Sequence, residues 1–136
     1  MRKIFLVSII IITFTIACEN NNKEVKDTRI ELRNDTINIV KLTDTLVIFE
    51  GTCRGCEYEN STNFDISDST GIIKLATIKT FDYSSPDEAG GNVSKEIELV
   101  STKTGKTIVK LYKFWTEQKT AEDSSNVRTY QIEVVN

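Results

Sequence analysis

Apolar and polar residues alternate in short runs over most of this chain, and no other feature of the sequence limits the possible folds as strongly. The segment KEIELVS places Ile97 and Leu99 on one side of an extended backbone, and VRTYQIEVV does the same with Tyr130, Ile132 and Val134. A repeat of two residues is that of a β-strand with one buried face, and the β-branched residues that are abundant here favour strands. The sequence therefore predicts strands rather than helices.

The other runs and the turns between them indicate the type of sheet structure. Apolar residues also recur in runs that contain Ile30 and Leu32, Ile37, Ile39 and Val40, the segment TLVIFE (45–50), Phe64 and Ile66, Ile73, Leu75 and Ile78, and Val109 and Leu111. A bulge or bend is expected near Ala76 and Thr77, where the alternation shifts by one residue. Turn-forming residues separate the runs at 34–35, 68–71, 84–87, 90–92 and 103–106. Seven to eight short strands at this spacing predict an all-β fold, an immunoglobulin-like β-sandwich.

The N-terminus has the features of an export signal. A basic start (1–3) precedes an apolar run (4–16), which is followed by Ala17 and Cys18. This pattern is typical of a secretory signal peptide, and the run is shorter than the roughly 20 residues that a transmembrane helix requires. The segment TIAC (15–18) resembles the bacterial lipobox, in which the cysteine is lipidated and becomes the first mature residue. An ordinary signal peptide with an incidental cysteine is the alternative.

These observations predict a lipoprotein with three parts. They are a signal peptide (1–17), a polar tether (18–27) that follows lipidated Cys18, and a β-sandwich domain (28–136). Acyl chains contribute roughly 0.8 kcal/mol per buried CH₂, so we expect the lipid on Cys18 to hold the protein to a membrane. The expected location is the bacterial cell envelope, on its periplasmic or surface face. An exported protein lies in an oxidising compartment, which favours disulfides over free thiols.

Composition argues against several functional classes. The chain has no histidine, which excludes a Ser-His-Asp or Cys-His hydrolase and any imidazole-ligated metal. Its carboxylates follow no calcium-loop spacing, and its net charge of −3 with no basic stripe makes nucleic acid an unsuitable partner. We therefore expect no enzyme activity, no catalytic residues, no metal and no cofactor.

The segment GTCRGCEY (51–58) contains two of the three cysteines, Cys53 and Cys56. A single CxxC pair supplies only half of a zinc site. Redox chemistry of the thioredoxin type requires a helix after the first cysteine, whereas the residues from Glu57 onward are a poor helix start. We predict a structural disulfide that fixes a loop with Arg54 and Gly55 at its tip. A redox-active thiol pair is the alternative.

Four segments, read in order, resemble the chagasin-like inhibitors of papain-type cysteine proteases. They are TDTLVIFEGTCRGCEY, DEAGGNVSKEIEL, KTGKTIVKLYKFWTEQ and RTYQIEVV. Gly55 matches the glycine of the family's first inhibitory loop, and Tyr58 stands where that loop has tryptophan. The pair Gly90-Gly91 resembles the glycine-rich second loop, and Lys113-Phe114-Trp115 resembles the Arg-Pro-Trp of the third.

The resemblance implies an immunoglobulin-like sandwich whose three loops lie at one end and bind a protease reversibly. The residues that it places on these protein-binding loops are Cys53, Arg54, Gly55, Tyr58, Gly90, Gly91, Lys113, Phe114 and Trp115. Trp115 could instead belong to the core, and Arg54 could be a solvated charge. The family's threonine pair is replaced by Cys53-Arg54 and its proline by Phe114. These replacements keep a second hypothesis open, a non-inhibitory immunoglobulin-like lipoprotein that binds another envelope or surface protein.

Overall fold

The computed structural model describes residues 28–85, 87, 90–116 and 127–136, and this part of the chain consists of β-strands and their connections. The predicted signal peptide and tether lie outside the described residues. Eight strands occur within the described ranges, which agrees with the predicted seven to eight: β1 (Arg29–Glu31), β2 (Ile37–Lys41), β3 (Thr45–Cys53), β4 (Asn63–Asp68), β5 (Ile73–Phe81), β6 (Asn92–Ser101), β7 (Gly105–Phe114) and β8 (Val127–Val135). No helix in these ranges is long and apolar enough to cross a membrane.

The strands form two four-stranded sheets, in the orders β1-β3-β6-β5 and β2-β8-β7-β4. The first edge strand of each sheet pairs in parallel, β1 with β3 and β2 with β8. The other neighbours pair antiparallel. This arrangement confirms the predicted all-β, immunoglobulin-like sandwich.

The core lies between the two sheets and uses the alternating residues that the sequence predicts. Ile97, Leu99 and Val109 have no exposed surface, and Ile132 is 1% exposed. They belong to one buried cluster with Leu32, Val40, Leu46, Ile48, Phe64, Ile72, Ile73, Leu111, Tyr130 and Val134. Full burial of one such side chain contributes about 1.5–3 kcal/mol, so this cluster is the main source of stability.

Strand β2 departs from the expected pattern. The apolar run in the sequence contains Ile37, Ile39 and Val40, but only Val40 is buried; Ile37 and Ile39 are 56% and 68% exposed, and Asn38 is buried in their place. Asn38 can face inward because its side-chain amide bonds backbone groups on both sides. It accepts from Arg33 N at 2.9 Å and donates to Gln131 O at 3.0 Å. The side chains of β2 that face the core are therefore Asn38 and Val40, and not the two isoleucines that hydrophobicity alone would place there.

Strand β5 contains the predicted bulge. Its pairing with β6 shifts register between Leu75 and Thr77, which confirms an irregularity near Ala76. After the shift, Ile78 pairs with Ile97 and packs against the core. Leu75, before the shift, remains 39% exposed.

Strand pairing brings several strand ends together at one end of the sandwich. The pairing of β3 with β6 ends at Cys53 and Asn92. In the other sheet, the pairing of β4 with β7 begins at Asn63 and Phe114. The connection from β3 to β4 therefore crosses from one sheet to the other at this end, between the start of β6 and the end of β7.

Candidate functional site

Three segments meet at this end of the sandwich, which we call the loop end. They are the β3–β4 loop (54–62), the described part of the β5–β6 loop (82–85, 87 and 90–91) and the segment 113–116 at the end of β7. Arg54 N donates a hydrogen bond to Gly91 O at 2.9 Å, and Ser61 Oγ donates to Trp115 O at 2.6 Å. The β3–β4 loop is therefore the middle segment. Residues 117–126, which follow this segment, lie outside the described residues.

The β3–β4 loop is held by a disulfide and by its own hydrogen bonds. Cys53 and Cys56 form the expected disulfide, with a Cα–Cα distance of 5.8 Å. Between them, Gly55 adopts a left-handed φ of 71°, which glycine accepts without the steric cost that other residues carry. Gly55 N donates to Glu59 Oε2 at 2.6 Å. The loop therefore has a defined shape without a partner.

Arg54 does not project from the loop tip as the sequence suggested. Its side chain is only 16% exposed, and its Nε lies 2.9 Å from Asp82 Oδ2 in the β5–β6 loop. A hydrogen bond from the Ser84 backbone amide, together with Arg54, holds the pKa of Asp82 below its ordinary value. Arg54 thus braces two loops against each other, and exposed Gly55 forms the tip.

Glycines allow the two loops to approach closely. Gly90 and Gly91 have positive φ angles of 80° and 103°. A Cβ atom added to Gly55 would lie 3.8 Å from Gly90 N, so the backbones of the two loops are in van der Waals range. The sequence treated Gly90-Gly91 as part of a separate loop, and the structure brings this pair against Gly55.

On the other side of the β3–β4 loop lies an exposed aromatic pair. Tyr58 is 38% exposed and Trp115 is 36% exposed, and their ring centroids are 5.8 Å apart with planes tilted by 55°. Phe114 differs from the expectation for a binding loop, because it is 7% exposed and stacks on Tyr112 with a centroid distance of 6.2 Å. Phe114 therefore packs against the sandwich, whereas Tyr58 and Trp115 are accessible.

Lys113 connects the aromatic pair to the rest of the sandwich. Its Nζ donates to Gly51 O at 2.6 Å and lies 4.8 Å from the Trp115 ring centroid. Burial lowers the pKa of Lys113, while the negative charge of Glu50 opposes that change. Glu50 Oε2 is 4.0 Å from Lys113 Nζ, and Glu50 Oε1 is 2.8 Å from Arg128 Nη1. These ion pairs join β3 to β7 and β8 directly beneath the loop end.

Sequence reasoning missed Glu50, Asp82 and Arg128. A signal for Glu50 does exist, because it continues the inward alternation of Leu46 and Ile48 and a charge at such a position requires a partner. Nothing in the local sequence identifies Arg128 as the partner of Glu50, or Asp82 as the partner of Arg54. Among the described residues, no cluster of metal-ligating side chains occurs.

Comparison with known proteins identifies similar folds. No protein-family model and no curated protein matches the chain. The chain is similar to the crystal structure of the cysteine protease inhibitor EhICP2 from Entamoeba histolytica, with a TM-score of 0.55 and 19% identity over 79% of this chain and 95% of that chain. It is also similar to the solution structure of amebosin, with a TM-score of 0.52 and 16% identity over 79% of this chain and 95% of that chain. The chain has a chagasin-like fold.

Proposed function

We propose that this chain is a reversible inhibitor of papain-type cysteine proteases, anchored to the bacterial cell envelope by a lipid on Cys18. The loop end is the binding surface. The observation that carries the proposal is the convergence of three segments around one preformed turn, at the end where the sequence resemblance placed the inhibitory loops. The fold shared with EhICP2, which is described as a cysteine protease inhibitor, supports the same function.

The loop end is suited to binding rather than to catalysis. Its central turn is fixed by the Cys53–Cys56 disulfide and by the bond from Gly55 N to Glu59. A loop that is rigid before binding loses little conformational entropy on binding, which increases affinity. The expected partner is therefore a protein with a cleft that is complementary to the rigid β3–β4 loop.

Different residues of the loop end have different roles in the proposed interface. Tyr58 and Trp115 are half-exposed aromatic side chains of the type that dominates binding energy at interfaces. Gly55 and Gly91 present exposed backbone without side chains, so the main chain of a protease can approach closely. Lys113 supports Trp115 from below, and Arg54 holds the β3–β4 loop to the β5–β6 loop.

Titration of the purified protein against several papain-type proteases, with a fluorogenic peptide substrate, tests this function. We expect competitive, reversible inhibition, and we expect Trp115→Ala to raise the inhibition constant by about tenfold or more because it removes an interface anchor. Ile108→Ala is the matched control, since Ile108 is 54% exposed on β7 and pairs with Gln131, away from the loop end. Absence of inhibition at micromolar concentration by any of the enzymes would reject the function.

The second candidate is a non-inhibitory lipoprotein that binds another envelope or surface protein through the same end. It is favoured by the positions of Arg54, paired with Asp82, and of buried Phe114, because both stand where the family resemblance expects contact residues. A stable complex with a partner that is not a protease, lost on Trp115→Ala, would favour this candidate over the first.

A further inference from the structure

The Cys53–Cys56 disulfide stands at the centre of a surface that, under the proposed function, covers the active site of a thiol enzyme. We propose that this disulfide exchanges with the nucleophilic thiolate of the bound cysteine protease and forms a reversible mixed disulfide through Cys53. The inference rests on the proposed function, because the protease supplies the thiolate. It adds a covalent step to an interaction that is otherwise made of non-covalent contacts.

The position of the disulfide is the first observation. Cys53 is the last residue of β3, and both cysteines are partly exposed. The β5–β6 loop flanks the disulfide loop at Gly91, and Trp115 flanks it on the opposite side. A partner that contacts both flanking segments therefore lies over the disulfide.

The hydrogen bonding of the sulfur atoms gives the exchange a direction. Tyr58 N lies 3.3 Å from Cys56 Sγ and donates to it. An amide donor stabilises a thiolate at Cys56, and a sulfur that is more stable as a thiolate is the better leaving group. The attack is therefore directed at Cys53 Sγ.

The step is balanced and needs no external oxidant. The protease thiolate forms a bond to Cys53 Sγ, the Cys53–Cys56 bond breaks, and its electron pair remains on Cys56 as a thiolate. One disulfide is consumed and one is formed. Attack of the Cys56 thiolate on Cys53 reverses the reaction and releases the protease with its thiolate intact.

The fold tolerates opening of this disulfide. A ring closed by residues three apart in sequence restricts the unfolded chain only slightly, so its loss costs less stability than the loss of a long-range disulfide. The ladder between β3 and β6 ends at Cys53 and Asn92, so Cys56 can move without breaking a strand pair. The released thiolate then belongs to a turn outside the sheets.

Chemical trapping tests the exchange in the full chain. Every form of this chain used in the test carries Cys18→Ser, so that Cys53 and Cys56 are its remaining cysteines. The chain is mixed with a papain-type protease freed of reductant, quenched with N-ethylmaleimide, and analysed by non-reducing electrophoresis and peptide mass spectrometry. We expect a one-to-one adduct that joins the catalytic cysteine to Cys53, carries maleimide on Cys56 and is cleaved by dithiothreitol.

Controls separate exchange within the complex from random exchange. Docking raises the effective concentration of the thiolate, so the adduct should form about tenfold faster or more than the adduct with glutathione at equal thiolate concentration. Trp115→Ala keeps the disulfide but weakens docking, and it should slow adduct formation by about the factor by which it weakens inhibition. A protease whose catalytic cysteine is already alkylated should give no adduct.

The outcomes distinguish this inference from the proposed function. Inhibition without any trapped adduct overturns the exchange and leaves the proposed function intact. An adduct through Cys56 instead of Cys53, or one that forms equally fast with Trp115→Ala, also overturns it. Absence of both inhibition and adduct rejects the proposed function, and the exchange with it.

Discussion

At the scale of single residues, Lys113 joins the third segment of the loop end to β3. The family resemblance assigned it to a binding loop, but its side chain is only 20% exposed and its ammonium group bonds Gly51 O. A buried ammonium group is costly unless it is hydrogen-bonded and paired. Gly51 O and Glu50 meet that requirement, and the same position brings Nζ to the Trp115 ring. Lys113 thus links the Trp115 ring to the backbone of β3.

Lys113→Met should destabilise the protein. The variant keeps most of the apolar stem but leaves Gly51 O without this donor and Glu50 with one fewer neighbouring cation, so we expect a loss of about 1–3 kcal/mol in the free energy of unfolding. Urea denaturation followed by tryptophan fluorescence measures it. Lys110→Met, on the exposed side of the same strand, is the control and should change stability by about 0.5 kcal/mol or less. Equal losses in the two variants would contradict the assigned role.

At the scale of elements, β2 illustrates how a polar side chain can set the orientation of an edge strand. Asn38 accepts from Arg33 N and donates to Arg33 O at 2.8 Å, which closes the turn before β2. It also donates to Gln131 O in β8, the strand that β2 pairs with. One amide therefore satisfies backbone groups of the turn and of the neighbouring strand. Ile37 and Ile39 consequently face outward.

Asn38→Ala should weaken the attachment of β2 to β8. The substitution removes the side-chain partner of Arg33 N, Arg33 O and Gln131 O, and we expect a cost of about 1–3 kcal/mol because these partly buried hydrogen bonds are lost. Thermal and urea denaturation measure the cost, and amide hydrogen exchange in β2 should accelerate. Asn34→Ala, in the exposed part of the same turn, serves as the control. A cost for Asn38→Ala no larger than that of the control would contradict this role.

At the scale of the whole molecule, the two ends of the sandwich are closed by different means. The loop end is closed by a disulfide and ion pairs, whereas the opposite end is closed by Asp68, where the chain crosses from β4 to β5. Asp68 accepts from Thr107 Oγ1 at 2.5 Å, from Ile73 N at 2.7 Å and from Thr70 N at 2.8 Å. Burial by itself would raise the pKa of Asp68, but these hydrogen bonds outweigh it and hold the pKa well below its usual range.

Stability should therefore decrease in acid. A carboxyl group whose pKa is lower in the folded state contributes stability above its unfolded pKa, about 3.9 for aspartate. That contribution is lost as the pH falls from there toward the folded pKa. The lowered pKa of Glu98, which is due first to Lys79, acts in the same direction. Urea midpoints should change little between roughly pH 5 and 7 and fall below about pH 4.

Asp68→Asn isolates the contribution of this carboxyl group. The variant should be less stable at neutral pH and should lose less of its remaining stability between pH 7 and 3 than the unaltered protein. Asp65→Asn, at an exposed position of the same strand, is the control and should keep the original pH dependence. An unchanged acid slope in Asp68→Asn would contradict the assignment.

The sequence alone was sufficient to predict the sandwich, the bulge near Ala76 and the Cys53–Cys56 disulfide. Each of these depends on residues close together in the chain. Alternation such as that of Ile97 and Leu99 is a property of a single strand, and the two cysteines are separated by only three positions. Local spacing therefore contains the necessary information.

Only the tertiary structure decided which side chains of the loop end are available to a partner. Lys113 bonds a carbonyl 62 positions away, and Arg54 pairs with Asp82 in a different loop. Such partners are set by strand order and register, which result from the packing of both sheets together. The sequence could therefore predict a loop at 51–58, but packing determined that Arg54 pairs with Asp82 and that Phe114 is buried, while Gly55, Tyr58 and Trp115 remain exposed.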